Sequence, residues 1–359
     1  MKFLLLSLTL LFATQRVNAE PYSAPFWLPS GNLQTIYPTL FATVPQVDYR
    51  RERWELPDGD FVDVDWLNTD LPITDSTAKP ISSDPAIANP ANDITPIVVL
   101  FHGLEGNSQS QYAKALMAAT KSKGWRGVVI HFRGCSGEPN RLPRVYYAGD
   151  TPEIEIMLSR LRTAAPKAKI YAVGVSLGGN ALLKWLGESG EHASEVITKA
   201  AAVSAPMDLA ESANALDKGF NRWVYTPRFV DSMRPKALAM SKRFPGLLDE
   251  QKINSAKTIH EIDSAVTAVL YGASSAEDYY AKNAAKPWLD KITLNTLIIN
   301  AKNDPFMPAE FLPTQADVSS TVNLEYTDEG GHVGFVTSPF PGHVEWLPKH
   351  LLSFFEAQP

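Results

Sequence analysis

The stretch that most constrains the fold is residues 169–188, KIYAVGVSLGGNALLKWLGE. A short apolar run ends in Gly174, Val175 and Ser176, then Leu177, Gly178 and Gly179, and a helix-forming run follows at once. A strand that turns straight into a helix pushes the turn residue into strained backbone geometry. The neighbouring positions must then lack side chains so that strand and helix can approach. Ser176, lodged between glycines, would be exposed at the top of the strand, and the next N–H, that of Leu177, would stand at a helix N-terminus where a developing negative charge is stabilised. This is the G-x-S-x-G pattern of a nucleophilic serine in its strand–turn–helix setting. The competing reading is a glycine-rich packing turn with no chemistry.

The rest of the chain supplies a sheet to carry such a turn. Apolar runs at 96–103, 127–132, 169–175, 199–205, 296–301 and 322–327 read as strands, with helical patterns such as 112–124 between them. Alternating strands and helices predict an α/β fold with a mostly parallel central sheet and helices on both faces. Ahead of these, residues 51–66 read as two strands around the turn Pro57-Asp58-Gly59-Asp60. There Val62, Val64 and Trp66 alternate with Asp63 and Asp65, as in a half-buried strand. Asp150, Pro152 and Glu153 have the spacing of a helix start with a capping box. The 359-residue chain is 45% hydrophobic and 20% charged, enough for a large core, and its net charge of −6 with no long basic run excludes nucleic acid as a partner class. A single cysteine, Cys135, excludes an internal disulfide, and the metalloprotease, P-loop and dinucleotide-binding motifs are all missing, so no metal or cofactor is implied.

Four further segments divide the chain. Residues 1–19 have a lysine, an apolar run from Phe3 to Ala13 and small residues before Glu20, the layout of a secretory signal peptide. That reading places the protein outside the cytoplasm. A start at Val17, encoded as GTG, would instead leave it cytoplasmic. Residues 20–48 form an N-terminal arm. Residues 69–95 contain no aromatic and no glycine, with prolines at 72, 80, 85 and 90, and read as a surface insertion in a core of 49–207. Residues 208–290 break the strand rhythm with helical pattern and many aromatics, among them Phe220, Trp223, Phe229, Tyr279, Tyr280 and Trp288. They read as a helical cap over the C-terminal sheet edge, or as a packed helical layer without a substrate role, before the core resumes at 291–359.

A serine hydroxyl needs a base, and the base an orienting acid. Asp304 ends one strand before a proline, and His332 follows another on a glycine loop, both on the edge that carries Ser176 and in the order serine, acid, histidine. Asp150, Asp328 and Glu329 compete as acids, and His260, His343 and His350 as bases, but Asp150 is accounted for as a helix cap and none of these histidines follows a strand on a glycine loop. His102 precedes the serine, in HGLEGNS (102–108), the loop expected to give a second oxyanion donor from the N–H of Leu104.

Several stretches together resemble the YheT-like, embryogenesis-associated branch of the α/β-hydrolases: NLQTIYP (32–38), LFHGLEGNSQSQYAKALM (100–117), GWRGVVIHFRGCSGEPNRLPR (124–144), GVSLGGNALLKWLGE (174–188), AVTAVLYGASSAEDYY (265–280), NDPFMP (303–308) and GGHVGF (330–335). The resemblance spans about residues 25 to 350 and implies a capped α/β-hydrolase fold, a triad of Ser176, Asp304 and His332, and hydrolysis of short- to medium-chain carboxylic esters. Many relatives have a histidine where this chain has Asn32, so any role of that histidine is absent here. The expected activity is that of a serine carboxylesterase with an acyl-serine intermediate. The alternatives are a lipase or thioesterase with the same triad, or a binding protein that keeps the fold without turnover. A small-molecule ester is the expected partner. A lipid-like substrate or the apolar N-terminal segment would bring the chain near a membrane, and the oligomeric state is left open.

Overall fold

The computed structural model describes residues 21–67 and 93–358. The signal-like residues 1–19 and most of the 69–95 segment lie outside the described residues. The strands are β1 (Tyr49–Glu55), β2 (Phe61–Leu67), β3 (Ile97–Phe101), β4 (Arg126–Ile130), β5 (Ile170–Val175), β6 (Lys199–Val203), β7 (Thr296–Ala301) and β8 (Val322–Thr327). They form one sheet in the order β1-β2-β4-β3-β5-β6-β7-β8. β1 and β2 run antiparallel to their neighbours, and every other pairing is parallel. The mostly parallel sheet expected from the sequence is the one the chain builds.

The central strands are apolar throughout because they serve two cores at once. Along β3, Ile97, Val99 and Phe101 face one core and Val98 and Leu100 the other. The first core is covered by α3 (Thr151–Ala164), α4 (Leu177–Ser189) and the short α5 (His192–Val196), through Ile154, Leu158, Leu182, Trp185 and Val196. The second is covered by α2 (Gln111–Ser122) and α13 (Trp346–Glu356), through Leu116, Met117, Leu351 and Phe355. A sheet covered on both faces leaves its strand ends as the place for chemistry.

Two local expectations are corrected. β2 is buried at every position and not half-buried. Its aspartates lie under the 131–144 loop and are paired: Arg53 donates two hydrogen bonds to Asp63, Arg51 two to Asp65, and His131 lies 2.8 Å from Asp65. Buried charge persists only with such partners. Asp150 stands just before α3, but its carboxylate does not cap the helix. It accepts from Arg144 at 2.9 Å, while Glu153 turns to Arg133, so the capping box is not formed.

Between β6 and β7 the chain makes a succession of short helices: α6 (Leu209–Leu216), α7 (Gly219–Val224), α8 (Thr226–Arg243), α9 (Glu250–Ser255), α10 (Ile259–Ile262), α11 (Ala268–Tyr271) and α12 (Ala276–Asn283), with a π-helical turn, Asp263–Thr267, between α10 and α11. Asp208, Asp249, Thr258 and Ser275 start α6, α9, α10 and α12 by accepting N–H groups of the first turn. The helices share an apolar cluster that includes Leu209, Tyr225, Val230, Ile262 and Tyr279.

One helix lies apart from this pattern. α1 (Gly31–Leu40), in the N-terminal arm, is started by Ser30 and packs against the loops that follow β7 and β8.

Candidate active site

Ser176 occupies the turn between β5 and α4 with φ 52° and ψ −123°, a backbone region that costs a non-glycine residue on the order of 1–3 kcal/mol. The surroundings impose it. A Cβ on Gly174 would sit 2.5 Å from the Gly178 carbonyl oxygen, and one on Gly178 would sit 2.4 Å from that of Phe101. The strand and helix therefore approach only because both positions are bare. The Ser176 N–H donates to Val203 at 2.8 Å, which ties the turn to β6. Asn180, fully buried one turn into α4, donates to the carbonyls of Ala148 and Asn283 and accepts from the Ala285 N–H, so the same helix anchors the helical segment above it.

His332 and Asp304 come to this serine from two other strand ends. His332 Nε2 lies 3.0 Å from Ser176 Oγ, and its Nδ1 lies 2.9 Å from Asp304 Oδ2. The carboxylate fixes the tautomer: Nδ1–H donates to Asp304, which leaves Nε2 free to accept from the serine hydroxyl. Asp304 is buried, and its other oxygen accepts from the Phe306 N–H at 2.8 Å. The Phe306 ring lies 4.3 Å from the imidazole, centre to centre. The competing residues lie elsewhere: His260 pairs with Glu277, His350 with Glu325, Asp328 with Lys302, and His343 is in the Thr337 turn.

The loop after β3 abuts the serine. A Cβ on Gly103 would lie 3.0 Å from that of Ser176. His102 is fully buried, and burial pushes its pKa down to about 3, so the ring is neutral. It accepts the Phe132 N–H at Nε2 and donates from Nδ1 to Gly103 O at 2.7 Å, a fixing role and not that of a base. The Gly103 N–H donates to Tyr112 and the Glu105 N–H to Tyr146. Among the described residues, no partner takes the Leu104 N–H held between them. The Leu177 N–H, first in α4, is one of the amides a helix leaves unpaired.

These groups form the floor of a cavity of about 540 Å³, within the range of small-molecule sites. Leu104, Ser176, Leu177 and His332 line it below, and Leu209, Leu216, Met233, Met240 and Val266 line it from the helical segment. The aromatics of that segment divide. Phe229, Tyr279 and Tyr280 line the cavity, whereas Phe220 and Trp223 point to solvent at 50% and 81% exposure and Trp288 packs against Gly187. Cys135 is buried in the turn after β4, and burial pushes its thiol up to about 12, away from the thiolate form.

The site residues that sequence reasoning missed are on α1. Gln34 is fully buried; it donates to Leu28 and accepts both the Gly330 N–H at 2.8 Å and the Asn303 amide at 2.9 Å. Thr35 accepts the His332 N–H at 2.8 Å. One helix thus grips the loop of the acid and the loop of the histidine. Asn32 accepts from the Tyr225 hydroxyl at 3.0 Å and joins α1 to the helical segment. The only signal for this role was the NLQTIYP stretch, which carried no chemistry by itself.

Comparison with known proteins agrees with this architecture. Residues 96–339 match the family model for the alpha/beta hydrolase fold. The chain is 37% identical over 333 residues to YheT of Escherichia coli (strain K12), a protein with an esterase designation, covering 91% of this chain and 92% of that protein. It is 27% identical to human Phospholipase ABHD3 over 95% of this chain and 80% of that one, and 27% identical to the embryogenesis-associated protein EMB8 of Picea glauca over 94% and 72%. A solved esterase from Pyrococcus furiosus superposes with a TM-score of 0.51 at 14% identity, covering 94% of this chain and 96% of that one, a likeness of fold. The chain belongs to the alpha/beta hydrolase family, in the branch that contains YheT.

Proposed function

We propose that this hydrolase-family chain is a serine carboxylesterase acting on short- to medium-chain carboxylic esters. The observation that carries the reading is the pair of contacts Ser176 Oγ to His332 Nε2, 3.0 Å, and His332 Nδ1 to Asp304, 2.9 Å, on the floor of an apolar cavity. His332 takes the hydroxyl proton as Ser176 Oγ bonds to the ester carbonyl carbon. Asp304 holds the ring in its tautomer and stabilises the imidazolium. The N–H groups of Leu104 and Leu177 bind the oxyanion. The imidazolium passes its proton to the leaving alcohol, and a water activated by the same ring then releases the acid. The lipase alternative draws on the names of two relatives, human Phospholipase ABHD3 and a monoacylglycerol lipase of Saccharomyces cerevisiae, and differs in the ester, not in the steps.

Fluorophosphonate labelling and turnover of p-nitrophenyl acetate, butyrate and octanoate, compared between the natural protein and Ser176→Ala, test the reading. Labelling and turnover should both vanish in the variant. A folded natural protein that neither labels nor turns over any ester would overturn it in favour of a binding protein.

A further inference from the structure

The cavity over Ser176 has a neighbour. A second hollow of about 300 Å³ is lined by Arg144, Val145, Tyr147, Pro152, Thr267, Leu270 and Tyr271. Four of these, Arg144, Val145, Tyr147 and Thr267, also line the main cavity. The two spaces are therefore separated by one layer of side chains. That layer stands on the least regular backbone nearby. Arg144, Val145 and Tyr147 lie in the stretch before α3, which has no helix or strand, and Thr267 ends the π-helical turn Asp263–Thr267. Single π turns interrupt α-helices often at functional sites.

The lining decides what kind of group the second hollow takes. Arg144 is its one cation, and it is already engaged by Asp150 at 2.9 Å and Glu153 at 3.2 Å. Burial and the neighbouring Asp150 carboxylate keep the Tyr147 hydroxyl protonated. The Thr267 hydroxyl donates to Asp263. Beside these polar groups the lining presents Val145, Pro152, Leu270 and the rings of Tyr147 and Tyr271, which meet at 4.8 Å. An anionic head group would meet the Asp150 and Glu153 carboxylates that already neutralise Arg144, whereas an uncharged chain can lie along the aliphatic and aromatic faces.

We propose that the second hollow is a distal acyl subsite: in esters of long-chain fatty acids the chain passes from the main cavity between Val145, Tyr147 and Thr267, and its tail lies between Pro152, Leu270 and Tyr271. The proposal rests on the acyl-ester reading above and extends it from medium to long chains. The Tyr147–Tyr271 ring pair is the inner lip of the passage, and short acyl groups do not reach it.

Leu270 lines the second hollow and not the main cavity, so Leu270→Trp fills one without touching the other. The experiment measures kcat/KM on p-nitrophenyl butyrate, octanoate, laurate and palmitate in one detergent, with melting curves to check folding. In the natural protein palmitate should stay within about tenfold of octanoate, because a buried methylene is worth about fourfold where it finds a site. Leu270→Trp should lower palmitate about tenfold or more and leave butyrate within about twofold. Tyr271→Ala, a change at a partly exposed ring, gives a second reading if the tryptophan variant does not fold: KM should rise for palmitate alone. A loss of about 100-fold from octanoate to palmitate in the natural protein would overturn the proposal. So would variants that change all chain lengths equally, or none. Failure of the natural protein on butyrate as well would instead overturn the esterase reading itself.

Discussion

Ser176 and His332 face each other across 3.0 Å, yet the molecule holds them by opposite means. The serine is held locally. Its strained φ, the bare Gly174 and Gly178, and the bond to Val203 all come from β5, α4 and the adjoining strands. The histidine is held from a distance. Its loop carries three glycines and has positive φ at Gly330, Gly331, Val333 and Phe335; Thr35 and Gln34, about 300 residues earlier in the chain, accept two of its N–H groups, and Asn303 and Ser204 accept two more. The serine's geometry is thus built into the sheet, while that of the histidine is gathered from three separate places in the chain, one of them a docked helix.

The largest effects should come from the local side. On the proposed mechanism Ser176→Ala removes the nucleophile and should lower kcat on the order of 10⁶-fold, as loss of a triad member does in known serine hydrolases, with the fold unchanged by circular dichroism. Retention of more than a few per cent of activity would show that another group attacks the ester. Gly178→Ala leaves all three side chains in place but drives a Cβ into the Phe101 and His102 carbonyls at 2.4 and 2.6 Å. These are backbone atoms of β3 and its loop and cannot step aside. The variant should lose about 1–3 kcal/mol or more of stability in urea titration together with most of its turnover. Full stability would mean the elbow is looser than its packing indicates.

On the remote side the effects should be smaller and separable. Thr35→Val keeps the shape of the side chain but leaves the His332 N–H without its acceptor. We expect kcat to fall about 10- to 100-fold with KM little changed, since small misplacements of a base are costly. Thr35→Ser should restore most of it. If valine and serine behave alike, the hydroxyl is not what positions the loop. A purely structural role would shift the melting temperature without this split between kcat and KM.

The same contrast explains how much was legible in the sequence. The elbow could be read because its physics is contained in five consecutive residues. The strands could be read, though not their order in the sheet, because two-sided burial leaves unbroken apolar runs such as residues 97–101. Asp304 and His332 were visible as strand-end residues on proline and glycine loops, and in the fold His332 lies in contact with both Ser176 and Asp304. Gln34 and Thr35 were not visible as site residues, because nothing near them in the chain indicates which loops α1 will meet. Asp63 and Asp65 misled for the same reason: alternation with apolar residues signals a solvent-facing side, unless arginines from β1 and a loop close over it. The aromatics of residues 208–290 gave composition without direction, so Phe229 and the exposed Trp223 looked equivalent.

The helical segment above the site offers the last and smallest test. Asp263 lies on the π-helical turn, buried, with its two oxygens accepting from Thr267 at 2.7 Å and Tyr280 at 2.9 Å. Burial is the main cause that raises its pKa from 3.8 to about 6, the Thr267 and Tyr280 hydroxyls and the more distant His260 opposing and Asp217 adding to it. An acid whose pKa is raised on folding binds its proton more tightly in the native state. Its contribution therefore makes stability fall as pH rises from about 4 to about 6, and the penalty is complete above that. Asp263→Asn does not titrate. It exchanges one acceptor for a donor, a cost that is the same at every pH. The stability of the variant relative to the natural protein should thus improve by on the order of 1–3 kcal/mol between pH 4 and pH 7, read from paired urea titrations. A difference that stays flat over that range would mean that Asp263 is better solvated than its burial indicates, and that the helices over the cavity open to water as readily as the sheet below them does not.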